Sequence, residues 1–276
     1  MRPAEIVTRS ADYLARHGVE SSRETAEALL AYFLGTDRAG LYARTEGLDT
    51  KTAKLFGRAL CQRCHGVPLQ YLTGEQQFFD LVLGVAPGVL IPRPETEVLV
   101  ERTLDVVDRA GAVVVDVGTG TGAVALAIKR FRPAARVLAT DVSDEAIAVA
   151  RANASRHGLD IEVLPGDLLE PLPSDLRGAV DVIVSNPPYV TEEEYATLPQ
   201  EVRREPYEAL VGGTDVHRRL TEASGAWLEV RGWLVMEIGA SQAREVAGLL
   251  TDAFEDIEVH SDLTGRDRVV RARRRG

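Results

Sequence analysis

The residues best suited to chemistry lie at Asn186 to Tyr189, the segment NPPY. They follow VDVIVS (180–185), an apolar run that predicts a buried strand. Proline fixes its own backbone and disfavours helical geometry in the residue before it, so we expect Asn186 and Pro187 to be extended and rigid. The Asn186 side-chain oxygen and the Pro187 carbonyl could accept both protons of a planar NH2 group while Tyr189 stacks on its flat face. Such a clamp would point the nitrogen lone pair at an electrophilic methyl group.

A glycine-rich turn, DVGTGTGA (116–123), provides a second site for chemistry. Its glycines let the backbone turn sharply between a strand and a helix and approach a ligand closely. Asp141 ends the next predicted strand, where a carboxylate can accept both hydroxyl groups of a ribose. The predicted cofactor loop consists of Gly118, Thr119, Gly120, Thr121 and Gly122.

These features alone fit two cofactors. The glycines, together with Ala123, also satisfy the dinucleotide fingerprint, so a nicotinamide-dependent enzyme stays open as an alternative. GDLLE (166–170) places Asp167 after the third strand, where a methyltransferase that uses S-adenosylmethionine often has a second acid for the adenine amino group. Asp167 and the NPPY segment therefore favour S-adenosylmethionine.

The surrounding pattern predicts how these residues are positioned. Residues 3–65 have helical periodicity, with Gly18, Gly35 and Gly66 at C-cap positions and Ser21 or Ser22 and Thr50 at N-cap positions. Residues 75–92 have the short apolar runs of a β-hairpin. From 113 onward, strands and helices alternate, which predicts a mostly parallel sheet covered on both faces. The predicted strands are 113–117, 137–141, 161–164, 180–185, 233–238, 257–260 and 268–273, and the predicted helices are 122–131, 144–157, 192–230 and 241–253.

The predicted organisation is a helical substrate-recognition domain (1–74), a β-hairpin linker (75–92) and an α/β domain (93–276). The last two strands are too close in sequence for a crossover helix, so we expect them to be antiparallel neighbours. The terminal RARRRG (271–276) is interpreted as a solvated tail.

Composition excludes several classes of protein. The chain has 276 residues and a formal charge of −10, which argues against a protein that holds nucleic acid through its phosphates. Its apolar runs are too short to span a bilayer and its N-terminus lacks a signal-peptide pattern, so we expect a cytoplasmic protein with no membrane contact. The cysteines in CQRCH (61–65) have the spacing of a haem-attachment motif, but the sequence shows no export signal and no further metal ligands near them. We interpret them as ordinary helix residues and expect no metal.

Several segments together resemble a known protein family. The NPPY segment looks like the (D/N)PP(Y/F) motif of class I methyltransferases that modify amide or exocyclic nitrogens. More specific segments are PLQYLTGEQQF (68–78), PGVLIPRPETE (87–97), DVGTGTGAVALAI (116–128), SNPPYV (185–190), EVRREPYEALVGG (201–213) and GRDRVV (265–270). Together they resemble the HemK/PrmC family, and the resemblance covers nearly the whole chain. It implies a class I S-adenosylmethionine-dependent methyltransferase, with a Rossmann-like, seven-stranded, mostly parallel sheet and a small helical N-terminal domain joined by a β-hairpin.

The resemblance also implies a substrate. Members of the family methylate the N5 amide nitrogen of a glutamine, in the Gly-Gly-Gln motif of peptide chain release factors, which modulates translation termination. By that likeness a release factor is the partner, no nucleic acid is bound directly, and we expect a monomer. An adenine N6-methyltransferase acting on RNA or DNA shares the same NH2 geometry and stays the main alternative; a binding module that has lost turnover is another.

Roles for individual residues follow from the same resemblance. Phe78 would form a wall of the cofactor pocket, and Arg93 with Glu95 would fix the loop that joins the domains. Cofactor contacts would fall on Gly118 to Gly122, Asp141, Asp167, Leu168 and Asn186, whereas the substrate glutamine would be held by Asn186, Pro187, Pro188 and Tyr189. Leu168 stands where some relatives carry an aromatic residue, and GGTDVHRRL (212–220) is shorter than the usual loop of the family.

Overall fold

The computed structural model describes all 276 residues, and its contacts divide the chain into two compact units. The smaller unit comprises Met1–Glu75 and Pro199–Arg204, and the larger unit comprises Gln76–Leu198 and Glu205–Gly276. The first boundary falls after Glu75, and the helical domain is predicted to end at residue 74. The segment at 199–204 belongs to the smaller, helical unit, although the sequence predicts that it is part of the α/β domain. None of the helices is long and apolar enough to cross a membrane.

The smaller unit is a bundle of five helices, as the periodicity predicts. Their apolar faces meet in one core that includes Leu14, Leu29 and Phe56. Thr50, predicted as an N-cap, is instead the first residue of its helix. Asp49 is the cap, because its carboxylate accepts hydrogen bonds from the N–H groups of the next turn at 2.9 and 3.0 Å. The helices are α1 (Pro3–Arg16), α2 (Ser22–Leu34), α3 (Arg38–Ala43), α4 (Thr50–Cys64) and α5 (Leu69–Thr73).

Segment 199–204 is joined to these helices by polar contacts. Glu201 forms an ion pair with Arg63 of α4, and Arg204 donates a hydrogen bond to the carbonyl of His65 at 3.1 Å. Arg63 and His65 lie at the end of the same helix, so this short stretch belongs to the smaller unit.

The hairpin packs with the larger unit. It consists of β1 (Glu75–Phe78) and β2 (Leu81–Gly84), so it is shorter than the predicted 75–92. Asn153 bonds both the N–H and the carbonyl of Gly84, at 2.7 and 3.0 Å, and the β2 leucines are buried. The residues after Gly84 leave the ladder because APGVLIPRP (86–94) is rich in glycine and proline.

The larger unit contains the predicted seven-stranded sheet. Its strands follow the order β5-β4-β3-β6-β7-β9-β8, in which β9 is antiparallel to both neighbours and the other neighbouring pairs are parallel. The prediction of antiparallel final strands is confirmed. The strands are β3 (Val113–Val117), β4 (Arg136–Asp141), β5 (Glu162–Pro165), β6 (Val180–Ser185), β7 (Leu228–Glu237), β8 (Phe254–Ser261) and β9 (Asp267–Arg274).

Helices cover both faces of this sheet. Helix α8 begins and ends as predicted, with Ser143 capping its first turn and Gly158 in the left-handed conformation at its end. One apolar core lies under α6, α7, α8 and the hairpin, and a second lies under α11 and α12. The helices are α6 (Thr96–Leu104), α7 (Ala123–Phe131), α8 (Asp144–His157), α9 (Glu192–Thr197), α10 (Tyr207–Leu210), α11 (Asp215–Ser224) and α12 (Ala243–Leu250).

Two predictions about the C-terminal third are wrong in detail. The predicted helical stretch 192–230 is three separate helices, and its last residues belong to β7, which begins at Leu228 and is bulged before Trp233. Gly232 sits at this bulge because a Cβ there would lie 3.0 Å from two backbone carbonyls of β6. The predicted tail is mostly strand: Arg271 and Arg273 of β9 pair with acids of β8.

The topology creates one place for a ligand. Strand β3 is followed on one side by β4 and β5 and on the other by β6 and β7. The carboxyl ends of these parallel strands face one edge of the sheet, and a crevice forms where the order reverses. The glycine turn leaves β3 at this edge, Asp141 ends β4, and NPPY leaves β6.

Candidate active site

A cavity of about 820 Å³ opens at that edge of the sheet. It brings together most of the predicted site residues, although they come from four different strand ends. Those lining it are Gly118, Thr119, Gly120, Thr121, Asp141, Asp167, Leu168, Asn186, Pro187 and Pro188. Gly122, Tyr189 and Phe78 are the predicted site residues that do not line it.

The glycine turn presents backbone to the cavity. Gly118 and Gly120 have φ values of 72° and 56°, and nothing would obstruct a Cβ on either residue. Their glycine identity is therefore required by backbone conformation rather than by space. Gly122 lies behind the turn, where a Cβ would approach Leu126 and Ala150 at 3.2 and 3.3 Å. It permits close packing of α7 against α8 and does not contact the ligand space.

A buried acid fixes the turn from below. The Asp116 carboxylate accepts a hydrogen bond from the Thr119 hydroxyl at 2.6 Å and one from the Ala125 N–H at 3.1 Å. Burial raises the pKa of Asp116 to about 7, although both hydrogen bonds favour the ionised form. Asp116 thus holds together the turn and the first residues of α7.

Asp141 is positioned to receive a ribose. One carboxylate oxygen accepts the Gly120 N–H at 2.8 Å and the other accepts the Ser143 N–H at 2.9 Å. Each oxygen keeps a free lone pair, and the residue is half-buried in the cavity wall. A rigid carboxylate of this kind suits a pair of neighbouring hydroxyl groups.

The wall after β5 combines an acid with a strained backbone. Asp167 lies at the cavity and forms an ion pair with Arg219 of α11, which also lines it. Leu168 has a φ of 47°, which is unusual for a residue with a side chain, and the Thr140 hydroxyl donates to its carbonyl at 2.8 Å. This bond holds the Leu168 backbone in place at the cavity wall.

The lining is strongly acidic. Six carboxyl groups surround the cavity, and its two guanidinium groups, on Arg93 and Arg219, are both paired with acids. Such a lining attracts a cation and disfavours the diphosphate of a dinucleotide. The antiparallel β9 also departs from the all-parallel sheet typical of dinucleotide-binding domains. The six acids are Asp116, Asp141, Asp144, Glu145, Asp167 and Glu208.

The NPPY segment delivers an oriented amide. The Asn186 side-chain nitrogen donates a hydrogen bond to the Thr96 hydroxyl oxygen at 3.1 Å. Because the nitrogen end is engaged in the protein, the free end of the amide is its oxygen, Oδ1. Asn186 and Pro187 both line the cavity, which leaves two carbonyl oxygens available as acceptors there.

Tyr189 points away from the cavity, contrary to the expected stacking role. Its hydroxyl donates to the buried Glu237 carboxylate at 3.3 Å, and its backbone carbonyl accepts from Gln242 at 2.8 Å. Burial, and then the charge of Glu237, raise the pKa of Tyr189. A buried phenol needs a hydrogen-bond partner, and Glu237 provides it at the end of β7.

Phe78 is also absent from the cavity wall. Its side chain is 1% exposed and packs in the core beneath α6 and α7, with its ring 5.2 Å from that of Phe79. Successive side chains of a strand point to opposite faces, so Phe78 falls on the face opposite the exposed Glu75 and Gln77.

The IPRPETE segment connects three parts of the larger unit. Arg93 forms its ion pair with the buried Glu205, which also accepts the Ile91 N–H at 2.9 Å. Glu97 accepts the Phe79 N–H of the hairpin at 2.8 Å. Glu95 is exposed, and the acid that Arg93 pairs with is Glu205.

A neighbouring segment fixes the NPPY loop from its other side. Val190 donates a hydrogen bond to Leu210 at 2.9 Å and accepts one from Gly212 at 3.1 Å. A Cβ on Gly212 would lie 2.5 Å from the Pro188 carbonyl, so only glycine fits there. The loop is thereby held rigidly on two sides.

Known proteins share this fold. A solved methyltransferase from Pyrococcus furiosus has the same fold, with a TM-score of 0.55 and 19% identity over 72% of this chain and 91% of its own. Family models match in both units: a methyltransferase small domain at residues 94–215 and a PrmC N-terminal domain at residues 5–74. The sheet and its acidic cavity define a class I S-adenosylmethionine-dependent methyltransferase.

Full-length relatives give the particular family. The chain is 42% identical over 272 residues to the release factor glutamine methyltransferase of Moorella thermoacetica, covering 95% of both chains. It is 40% identical over 281 residues to that of Deinococcus radiodurans, covering 100% of both. The chain belongs to the release factor glutamine methyltransferase family.

Several residues that support the site cannot be identified from the sequence pattern. Asp116 lies within the glycine-rich turn, but the pattern does not show that its carboxylate is buried. Thr96, Glu205 and Glu237 lie far in sequence from the groups that they contact. Arg219 lies within 212–220, a segment distinguished in the sequence only by its length. The available signals are the prolines around Arg93 and the glutamate within WLVMEI (233–238).

Proposed function

We propose that this protein transfers a methyl group from S-adenosylmethionine to the side-chain amide nitrogen of a glutamine, the one in the Gly-Gly-Gln motif of peptide chain release factors. The observation that carries the proposal is the shared cavity: the ribose-suited Asp141 and the oriented Asn186 amide line the same space. Its acidic lining also suits the positively charged sulfur of this cofactor.

The residues of the chain fit the cofactor. The glycine turn, Asp141, Asp167 and Leu168 would hold it, and it would supply a methyl group bound to a cationic sulfur. The Asn186 Oδ1 and Pro187 carbonyl would accept the two protons of the glutamine NH2 group. Two acceptors in fixed positions favour a pyramidal nitrogen whose lone pair is directed away from the glutamine carbonyl.

Transfer would not need a strong base. The glutamine nitrogen would gain the methyl carbon that the cofactor supplies, and the cofactor sulfur would keep the electron pair of the broken bond. The Asn186 oxygen and the Pro187 carbonyl would hold the nitrogen protons until one of them passes to water. Because the charge on sulfur is cancelled as the nitrogen becomes positive, the acidic cavity stabilises both states.

The test is methylation of an intact release factor. With S-adenosylmethionine present, mass spectrometry of the Gly-Gly-Gln peptide should show the mass increase of one methyl group on the glutamine. A release factor with that glutamine changed to alanine is the matched control and should gain no mass. An unmodified glutamine in the presence of active, cofactor-bound protein would refute the proposal.

The adenine N6-methyltransferase alternative predicts a different partner. It requires appreciable affinity for RNA or DNA, whereas the net charge of −10 opposes it. Filter binding at low salt decides between them. Recognition of the release factor by the helical unit, a monomeric state and a cytoplasmic location remain predictions from the sequence.

A further inference from the structure

Asn186 has an amide whose two ends look alike in size but act oppositely. The oxygen accepts hydrogen bonds, and the nitrogen donates them. Only one orientation presents an acceptor to a substrate NH2 group. The proposed function therefore requires some feature of the protein to select that orientation, and Asn186 makes a single side-chain contact that could do so, its bond to Thr96.

Thr96 is built into the fold at a fixed place. It is the first residue of α6, is 4% exposed, and its N–H bonds the Arg93 carbonyl at 3.1 Å. A threonine hydroxyl can donate one hydrogen bond and accept two, so by itself it could face either end of the Asn186 amide. The direction in which the Thr96 hydroxyl proton points decides whether the Thr96 oxygen accepts from the Asn186 nitrogen or the hydroxyl donates to the Asn186 oxygen.

Glu237 is placed to settle that direction. It ends β7, is fully buried, and its Oε2 has no hydrogen-bond partner in the protein. Burial raises the pKa of Glu237 to about 7, whereas Thr96, Arg268 and Tyr189 favour its ionised form and Glu95 opposes it. In that ionised form the carboxyl group can only accept, so its unpartnered Oε2 would draw the Thr96 proton toward itself.

We propose that Thr96 is a positioning residue that locks the Asn186 amide with its oxygen toward the substrate, and that Glu237 fixes the polarity of Thr96. The Asn186 nitrogen donates to Thr96, and in the proposed chain the Thr96 hydroxyl proton is directed toward the unpartnered Oε2 of Glu237. Reversing it would place the Asn186 NH2 group opposite the substrate NH2 group, two donors that cannot bond each other. The proposal rests on the proposed function for its catalytic consequence but not for its geometry.

NMR tests the geometry without any turnover. The chain contains two asparagines, Asn153 and Asn186, so labelling asparagine with a nitrogen isotope gives two side-chain amides. In Thr96→Val, the Asn186 amide protons should shift upfield because their acceptor is lost. Asn153 bonds the carbonyls of Gly84 and Thr121 and serves as an internal reference that should not move.

Two matched variants refine that test. Thr96→Ser keeps the hydroxyl and should keep the Asn186 resonance. Glu237→Met removes the acceptor with little change in size, and should move the Asn186 resonance in the same direction as Thr96→Val. If the Asn186 resonance does not move in Thr96→Val, the proposal is overturned. If it moves in Thr96→Val but not in Glu237→Met, Glu237 does not fix the direction of the Thr96 proton.

Kinetics on a release factor then measure the catalytic consequence. Thr96→Val should lower kcat roughly 10- to 100-fold, as expected when a reacting group is misplaced, with the affinity for S-adenosylhomocysteine unchanged. Thr96→Ser should restore kcat. In an Asn186→Ala background, adding Thr96→Val should cause no further loss, because residues that act as a unit are not additive.

Each outcome separates the two ideas. If the wild-type protein leaves the release factor unmodified, the proposed function fails while the NMR shifts still decide the role of Thr96. If the wild type is active and Thr96→Val keeps its kcat, or loses it equally with and without Asn186, Thr96 does not act through Asn186. Should Thr96→Val fold poorly, Thr96→Ala provides the same comparison without a branched side chain.

Discussion

The cavity has two walls that are built in opposite ways. The cofactor wall consists of the glycine turn and Asp141, and its polar groups are held over short separations: Asp116 bonds residues three and nine positions away, and Asp141 bonds Gly120, 21 positions away. The transfer wall consists of Asn186 and Pro187. Thr96 lies 90 positions from the Asn186 that it bonds, and Glu237 lies 48 positions from Tyr189 of the same loop. The comparison teaches that binding is encoded locally here, whereas orientation of the reacting group depends on the whole fold.

Removal of the Asn186 amide should disrupt the transfer wall alone. Asn186→Ala should lower kcat on a release factor by about 100- to 1,000-fold, because it removes one acceptor that is preorganised for the transition state. The cofactor wall is untouched, so S-adenosylhomocysteine should still raise the melting temperature of the variant as it does for the wild type. Loss of that thermal shift would mean that the two walls are not independent.

A change in Asp141 should produce the reverse pattern. Asp141→Ala removes the ribose acceptor and also frees the N–H groups of Gly120 and Ser143. We expect a loss of roughly 2 kcal/mol in cofactor binding, measured by calorimetry, since hydrogen bonds to a charged group are involved. The kcat at saturating cofactor should fall far less than in Asn186→Ala. Asp141→Asn keeps one acceptor oxygen, so its cofactor affinity should lie between those of the wild type and Asp141→Ala.

This difference explains what sequence could predict. The turn at 118–122, Asp141 and the alternation of strands and helices are local patterns, and the structure contains the predicted sheet in full. Phe78 and Tyr189 do not line the cavity as predicted, because a pattern does not determine which side of a chain faces a cavity: Phe78 packs in the core and the Tyr189 hydroxyl bonds Glu237. Thr96 and Glu205 required the folded chain to bring their partners together.

Each wall is supported by a buried acid, and the pH dependence of protein stability allows the two acids to be compared. Burial raises the pKa of Asp116 and of Glu237 to about 7. A carboxyl group with a raised pKa in the folded state stabilises the protein below its unfolded pKa, and this contribution is lost as pH rises toward 7. We therefore expect Asp116→Asn and Glu237→Gln each to gain stability relative to the wild type as pH increases from about 5 to 7, by up to about 1.4 kcal/mol per pH unit.

Chemical denaturation at several pH values measures this effect. The exposed Glu193→Gln variant is the control and should follow the wild type at every pH. A parallel dependence in all four proteins would show that neither buried acid titrates differently in the folded state. The cofactor affinity should change with pH in the wild type more than in Asp116→Asn, which would tie that acid to the cofactor wall.

Removal of the Tyr189 hydroxyl tests whether Tyr189 belongs to the transfer wall. Tyr189 belongs to the NPPY motif, yet its hydroxyl bonds Glu237 and its ring lies outside the cavity lining. Tyr189→Phe should therefore cost about 1 kcal/mol of stability, the typical net value of one hydrogen bond, and change kcat by less than about threefold. If kcat instead falls as far as in Asn186→Ala while stability is unchanged, Tyr189 must turn into the cavity when substrate binds. The transfer wall would then be completed by the substrate itself, unlike the cofactor wall, which is already formed.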